Sequence, residues 1–513
     1  MDDDASVETG PRSDTDPPAP ARWRLVSRDR LPVYALVSFA ATQLVLLFWW
    51  VAFYPGLFSP DSLNYMWQST TGNWNTHHPI TYTALVWLSL QITGGVGALA
   101  LLQTVALATG LTYAVTGLRR LGGPGWLWTA AAVVLVALPP VGSFVLAVWK
   151  DVPFVIVHVF LLGTVARLVA RRRAGETPLL PRGLFLALLA ELTLLCLFRQ
   201  NGFIVTAVLI VVCLLVLRGT AVRMIVAGVT AITLALLTNW LLLPALGVRD
   251  AGSLVALETL FGDIAVGYAE DPAGFPAADT AVMTQVAPLS HWRESADCYS
   301  VDPTVWATPF DREAAAEHKS ELVAIWGRLL ERSPGEVIGS RLCRSSIAWN
   351  PASTGNVARN PNPWSVKAYV ARDPLFRASP AAHAAYSAPL SQRAADLAVK
   401  LNARTVAPEW LWWRGASWAY AAYLVVGLVA WRRRDLGVLA LASLTAGNQL
   451  SVLAINNMQG ARYMFTPYVL GVVLLPLLLT ARRPAEEPTP AEEPTPAGEA
   501  SAGAAPAGSG QVG

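Results

Sequence analysis

The feature that most constrains this chain is a succession of apolar runs. Each is close to the ~20 residues that a helix rising 1.5 Å per residue needs to cross the hydrocarbon core of a bilayer. The first, Leu31 to Phe53, is too long for the apolar part of a signal peptide and lacks a small-residue cleavage site, so it reads as a first anchor. Further runs follow at 97–117, 126–148, 152–170, 183–199, 203–218, 223–244, 411–431, 436–455 and 463–481. With 54% apolar and 14% charged residues in 513, the composition is that of an all-α polytopic membrane protein. The net charge of +3 is segregated, with Arg in short loops and Asp and Glu crowding the tails. No nucleic-acid partner is expected; the lipid bilayer is.

One apolar run, 79–93, is about 22 Å long as a helix, which is short for a span. The distribution of arginine decides its place. If it stays at the outer interface, then Arg22 to Arg30, Arg119-Arg120, Arg171 to Arg173, Arg218 with Arg223, Arg432 to Arg434 and Arg482-Arg483 all fall on one side, the cytoplasmic one. If it crosses, every cluster after the first changes sides. The reading is therefore about ten spans plus one juxtamembrane helix in a plasma-membrane protein with both termini cytoplasmic. The chain divides into a disordered N-terminal tail (1–30), a transmembrane module (31–244) whose first outside loop is 55–93, an extracytoplasmic domain (245–410), C-terminal spans (411–481) and a disordered tail (482–513) that repeats AEEPTP.

This topology gathers the reactive side chains on the outer face. The first outside stretch, Tyr54 to Thr81, reads YPGLFSPDSLNYMWQSTTGNWNTHHPIT. Ser59-Pro60-Asp61 is a helix start, in which Ser59 caps and Asp61 complements the dipole. An acid at a water–lipid boundary can also take the proton of an attacking hydroxyl. His77 and His78 are adjacent, so their side chains diverge unless the backbone bends. That makes them a poor ligand pair for one metal and leaves capping or contact with a phosphate or hydroxyl. Lys150-Asp151, Arg199-Gln200-Asn201 and Arg462 stand at the outer ends of other spans. Lys150 and Asp151 can pair with each other, and exposed pairs are worth little. Three cations on the face that otherwise lacks them fit an anionic ligand held by charge-assisted hydrogen bonds. His158 and Glu191 fall within spans and are candidates by position. Pro139-Pro140 should kink the third span.

In the 245–410 domain the sequence predicts helices over 311–332, from 334 to about 349 behind a Ser333–Glu336 capping box, and over 380–404. Asn350 to Trp364 reads as a loop. Cys298 and Cys343 both lie in this oxidising compartment and are expected to form a disulfide, whereas Cys196 and Cys213 are core residues of spans. No Gly-rich phosphate loop or CxxC pair is present, so no cofactor is required; a divalent metal stays open.

An N-terminal span, an outside loop with an early Asp, a juxtamembrane helix, many spans and a late outside domain together resemble the GT-C superfamily of membrane glycosyltransferases. The strings YPGLFSPDS, NTHHP, WKD, FRQNG and ARYMFTPY are similar to those of uncharacterised bacterial multi-pass proteins near that group. The resemblance implies a polyprenyl-phosphate-linked sugar as donor and transfer to a glycan, lipid or protein acceptor outside the membrane. It implies Asp61 as the general base, with Lys150, Arg199 and Arg462 holding the lipid phosphate and His77, His78, Asp151 and Asn201 around the substrates. Many members carry two acids in tandem in that loop. Here Asp61 stands between Pro60 and Ser62, and Asp151 is the second acid at hand. The alternatives are a transporter or flippase for a lipid-linked or anionic solute and a non-catalytic envelope scaffold.

Overall fold

The computed structural model describes residues 31–176, 180–217, 221–250, 254–352, 354–359, 377, 380–385 and 389–480. Both tails read as disordered, and the loop beyond Arg359, lie outside these residues. The described chain is helical throughout, with only isolated β-bridges. In order, α1 is Leu31–Ala52, α2 Pro60–Thr71, α3 Ile80–Thr93, α4 Gly97–Leu118, α5 Gly125–Ala137, α6 Pro139–Val145, α7 Asp151–Arg173, α8 Arg182–Phe198, α9 Gly202–Val216 and α10 Ala221–Leu237. The region expected to be extracytoplasmic, termed the outside domain, contributes α11 (Leu254–Glu270), α12 (Lys319–Arg332), α13 (Pro334–Arg344) and α14 (Gln392–Ala403), and the chain returns through α15 (Gly415–Arg433), α16 (Ser443–Ile455) and α17 (Phe465–Leu474).

Six helices among the described residues are long and apolar enough to cross a membrane: Val33–Ala52, Gly97–Leu121, Asp151–Arg173, Val222–Ala245, Leu436–Ile455 and Ala461–Thr480. A seventh is added if α5 and α6, bent by 74°, count as one broken span. The other runs expected to span fall on α8 and α9, of 17 and 15 residues, and on α15, whose apolar stretch is diluted by Gly, Ala, Tyr and Trp.

The bundle has two distinct ends. At one, Arg119 stacks on Tyr34 at 4.0 Å, Arg172 and Arg173 pair with Asp435 at 2.7 and 2.5 Å, and Arg433 donates to the Leu121 carbonyl at 2.8 Å and the Thr480 hydroxyl at 2.7 Å. At the other, the Leu57 N–H bonds the Leu146 carbonyl and the Val148 N–H bonds Leu57, each at 2.9 Å, while the Arg249 N–H bonds Trp74 at 3.0 Å. The helix α3 does not carry the chain between them. The Trp50 indole near the end of α1 donates to the Gly97 carbonyl at the start of α4 (3.0 Å), so the intervening segment leaves and returns at the same end. Its exposed Trp87, Leu88 and Ile92 suit an interfacial helix.

The double proline breaks the third run rather than kinking it. Neither Pro139 nor Pro140 can donate, and Leu138 ahead of them is pushed to ψ 126°. The Val136 carbonyl, which would have bonded residue 140, instead accepts from the buried Trp49 indole at 2.9 Å. Gly142 admits that ring, because a Cβ there would sit 2.2 Å from it. The turn aims Leu146 to Lys150 at the first outside loop.

The outside domain packs Phe261, Met283, Trp292, Leu322 and Ile325 into its own core. Its helices are shorter than the periodicity predicts. The 311–332 helix breaks at His318, the run from 334 breaks at Ser345, and 380–404 resolves into Pro380–Ala385 and α14, capped by Ser391. Ser345 turns its hydroxyl back onto the Arg341 carbonyl at 2.8 Å and competes with the helix there. The expected Ser333 capping box does not form. Ser333 already closes α12 through its N–H to Leu329, and its side chain makes no cap bond. Cys298 and Cys343 are joined by a disulfide; Cys196 and Cys213 are buried thiols.

Buried Asp263 accepts from Trp326 (3.0 Å), Arg341 (2.6 Å), Ser340 (3.2 Å) and fully buried Arg344 (3.0 Å). Breaking such a buried pair costs about 3–5 kcal/mol. Arg344→Ala should therefore lower the unfolding temperature and raise hydrogen exchange in α11 and α13, with α4 and α7 unaffected; protection unchanged in α11 would contradict this. Peptide mapping without reductant should return Cys298 linked to Cys343, and Cys196 and Cys213 as thiols.

Candidate active site

The first turn of α2 is built before any ligand is considered. Ser59 caps it, its own N–H bonds the Ser62 hydroxyl at 3.0 Å, and Pro60 supplies a helical φ without needing a partner for its nitrogen. The Ser62 hydroxyl also donates to the Val148 carbonyl at 2.8 Å, and the Trp149 indole donates to the Ser59 hydroxyl. With the Leu57–Val148 backbone pairing, these bonds clamp the first loop to the Trp149-Lys150-Asp151 turn.

Asp61 projects from this clamp toward the turn before α17. Its Oδ2 accepts from Arg462 at 2.7 Å, with 22% of the Asp61 and 15% of the Arg462 side chain exposed, so solvent screens the pair only in part. Arg462 also donates to the Tyr463 hydroxyl (3.1 Å) and lies over the Trp149 ring (4.9 Å). Arg199 also lies 5.0 Å from the Tyr463 ring and pairs with buried Asp151. Tyr463 thus meets two guanidinium groups. Lys150 and Asp151 do not pair with each other: Asp151 turns to Arg199, and the Lys150 ammonium lies 3.1 Å from His78 Nδ1. The two adjacent histidines do not diverge. The Asn75 side chain accepts the His77 N–H at 3.1 Å and bends the chain, which brings the two rings to 4.5 Å, edge to face.

The structure therefore brings together Asp61, His77, His78, Lys150, Asp151, Arg199 and Arg462. Asn201 is not among them, since its amide donates to Ser451 of α16 at 3.0 Å. His158 is buried in α7 and holds the Phe154 carbonyl at 2.8 Å; Glu191 is buried in α8 and accepts from Thr164 at 2.9 Å. Sequence reasoning did not single out Tyr463, Trp149 or Tyr65. An aromatic beside an Arg at a span end carries no signal distinct from an ordinary interfacial belt. Tyr65 is fully buried, its ring lies 4.8 Å from His78, and its hydroxyl has no hydrogen-bond partner; neither has Asp151 Oδ2.

Burial opposes the charge on Asp61 most strongly, but the neighbouring groups together, Arg462 first and Lys150 among them, outweigh it and hold the carboxyl well below the usual carboxylate range. Burial and then Lys150 depress His77 to about 4, and the same two causes hold His78 well below its ordinary value, so both imidazoles are neutral at pH 7. Burial lowers Lys150 to about 8 against the pull of Asp61 and Asp151, and the ammonium stays mostly charged at neutral pH. Such a cluster has the charge to take an anion and places a carboxylate beside it. Among the described residues no group of three or more His, Cys, Asp or Glu side chains could hold a metal ion.

A cleft of about 890 Å³ opens beside the cluster, between α2 and the outside domain. Trp67, Asn64, His77, Trp306, Arg312 and Lys319 are among its lining residues. His77 is the partition, with its ring 5.4 Å from Trp306 and 4.5 Å from His78. Arg312 stacks on Trp306 at 3.8 Å and bonds Glu258 at 2.9 Å; Glu258 also accepts from Asn457 at 3.2 Å, which ties the outside domain to the turn carrying Arg462. Burial raises Glu258 to about 7.

Because Asp61 is depressed in the folded state, its ionised form adds stability above the ordinary carboxylate value near 3.8, and that stability is lost as pH falls toward the depressed value. Arg462→Gln should raise the Asp61 pKa. The difference in melting temperature between wild type and variant should be widest near neutral pH and narrow below about pH 4. A difference independent of pH would contradict the pairing.

No protein-family model, curated protein or solved structure matches this chain.

Proposed function

We propose that the protein is an inverting glycosyltransferase that moves a sugar from a polyprenyl-phosphate donor to an envelope glycan, lipid or protein on the outer face of the plasma membrane. The observation that carries this reading is one cluster drawn from four separate polar turns, in which Asp61 pairs with Arg462, Lys150 lies against His78 and Arg199 lies against Tyr463. The buried hydroxyl of Tyr65 and Asp151 Oδ2, both lacking a partner, lend support, since buried polar atoms are ordinarily hydrogen-bonded.

In the reaction the acceptor hydroxyl oxygen attacks the anomeric carbon. The bond from that carbon to the phosphate oxygen breaks, and the polyprenyl phosphate leaves with the electron pair. Lys150, Arg199 and Arg462 stabilise the charge that develops on it. The hydroxyl proton passes to Asp61. At rest Asp61 is a weak base because Arg462 holds it. A donor phosphate competes for the same guanidinium, so donor binding releases Asp61 and raises its basicity. The cleft behind His77 takes the acceptor, with Trp67 and Trp306 as faces for sugar rings.

The topology that goes with this has ten spans: α1, α4, α5 with α6, α7, α8, α9, α10, α15, the run ending in α16 and the run through α17. The arginine end lies in the cytoplasm, by the positive-inside rule, and the Asp61 end lies outside. Support comes from the contacts that gather the arginine clusters at one end. The broken α5–α6 pair and buried Glu191, with one carboxylate oxygen unpartnered, favour a second reading as a carrier of an anionic or lipid-linked solute.

In membranes supplied with radiolabelled polyprenyl-phosphate sugar, Asp61→Asn should lower transfer by about 10²-fold or more while donor binding persists. Unchanged transfer removes Asp61 from the mechanism, and accumulation of solute in proteoliposomes without a covalent product favours the carrier. Donor affinity should fall as pH rises through about 8, where Lys150 loses its proton, and Lys150→Arg should move that fall to higher pH.

A further inference from the structure

In α13 the face turned away from the domain core carries no polar side chain. Pro334, Gly335, Ile338, Gly339 and Leu342 are exposed, with Ile338 at 54% and Leu342 at 49%, while Val337, Ser340 and Arg344 on the opposite side are buried. One short turn later Trp349 continues the same stripe at 40% exposure. The neighbouring α12 in the same domain is ordinary, because its exposed face bears Lys319, Ser320, Glu321 and Arg328. A helix face meant for water would resemble α12.

The position of the stripe identifies what covers it. The end of α13 is seated on the turn before α17: Asn456 donates to the Arg344 carbonyl at 2.7 Å and Gln459 to the Cys343 carbonyl at 2.8 Å. Beyond that point the chain descends alongside the bundle. Gln449 donates to the Ala348 carbonyl at 2.7 Å, and Tyr420 donates to the Trp349 carbonyl at 2.5 Å. At 1.5 Å per residue these partners lie roughly 7–9 Å inside the ends of α16 and α15. Tyr420 and the residue one turn below it, Leu424, are themselves exposed, at 42% and 63%. The helix α15 runs along α17, from the Trp418–Tyr468 ring contact at 5.4 Å to Arg433 at Thr480. The apolar stripe of the outside domain is thus continuous with an outward face of the bundle.

We infer that α13 and the turn to Trp349 form a membrane-docking element of the outside domain, with Ile338, Leu342 and Trp349 in the outer-leaflet boundary between headgroups and acyl chains. This rests on the bilayer reading of the bundle. An amphipathic helix of this kind lies in the plane of the interface, and Trp is favoured there. Docking holds the domain, and with it the wall of the cleft formed by Trp306 and Arg312, at the membrane surface.

The test is nitroxide accessibility in full-length protein in nanodiscs, with Cys196→Ala and Cys213→Ala and the Cys298–Cys343 disulfide intact. Labels at Ile338→Cys and Leu342→Cys should collide with oxygen several-fold more, relative to a water-soluble nickel chelate, than a label at Val323→Cys on α12. Ratios equal to that of Val323 mean that the stripe faces water and overturn the inference. Labels immobilised and shielded from both reagents mean that a protein covers it, and overturn it equally. A label at Leu424→Cys separates the two levels. If it is lipid-exposed while residue 338 is in water, only the docking fails; if both are in water, the bilayer reading of the bundle fails with it.

Discussion

The contact between Asp61 and Arg462 joins positions 401 residues apart. Two local devices make it available. The capping bonds of Ser59 and Ser62 hold Asp61 in the first turn of α2, and the double proline turns Val148 and Trp149 to meet that helix. Trp49 takes up the carbonyl that the proline cannot satisfy, so the break costs no lone buried acceptor. A carboxylate at this depth needs a cation, and Arg462 answers it.

That pairing also explains the electrostatic order of the site. Three cations, two acids and two imidazoles are linked pair by pair, and the Tyr463 and Trp149 rings lie against the guanidinium groups. The resting arrangement is self-satisfied except for the Tyr65 hydroxyl and one oxygen of Asp151. On the proposed reading, an incoming anion would exchange with Asp61 for Arg462 and also meet the Lys150 ammonium, which lies against a neutral imidazole. Affinity and base strength are then linked through one side chain. The outside domain enters the same network through Glu258, which bonds both Arg312 in the cleft wall and Asn457 in the arginine-bearing turn.

Several features were legible in the residues themselves. Proline chemistry marked the place where the third run is disturbed, though as a kink and not the break observed; Ser59-Pro60 marked a helix start, and the crowding of arginine between runs marked one end of the bundle. Others were hidden because they depend on partners distant in sequence. Lys150-Asp151 reads as a neighbouring pair, yet Arg199 and His78 capture its members, since adjacent side chains at a helix start point apart. The histidine pair reads as divergent, yet an Asn two residues earlier bends the backbone. Ser333 has the spacing of a capping box, but its N–H closes the preceding helix and leaves its side chain unused.

The sequence by itself determined that this chain is a set of apolar helices whose arginine-rich turns gather at one end, because apolar length and arginine placement are local quantities. Length left α3 ambiguous, and arginine placement led to its reading as interfacial. Only the tertiary structure decided which charge answers which. The strength of an ion pair depends on distance and on the water excluded around it, and both are set by how helices from opposite ends of the chain pack. For the same reason the uncharged face of α13 acquires meaning only once Trp349 is found beside the outward flank of α15.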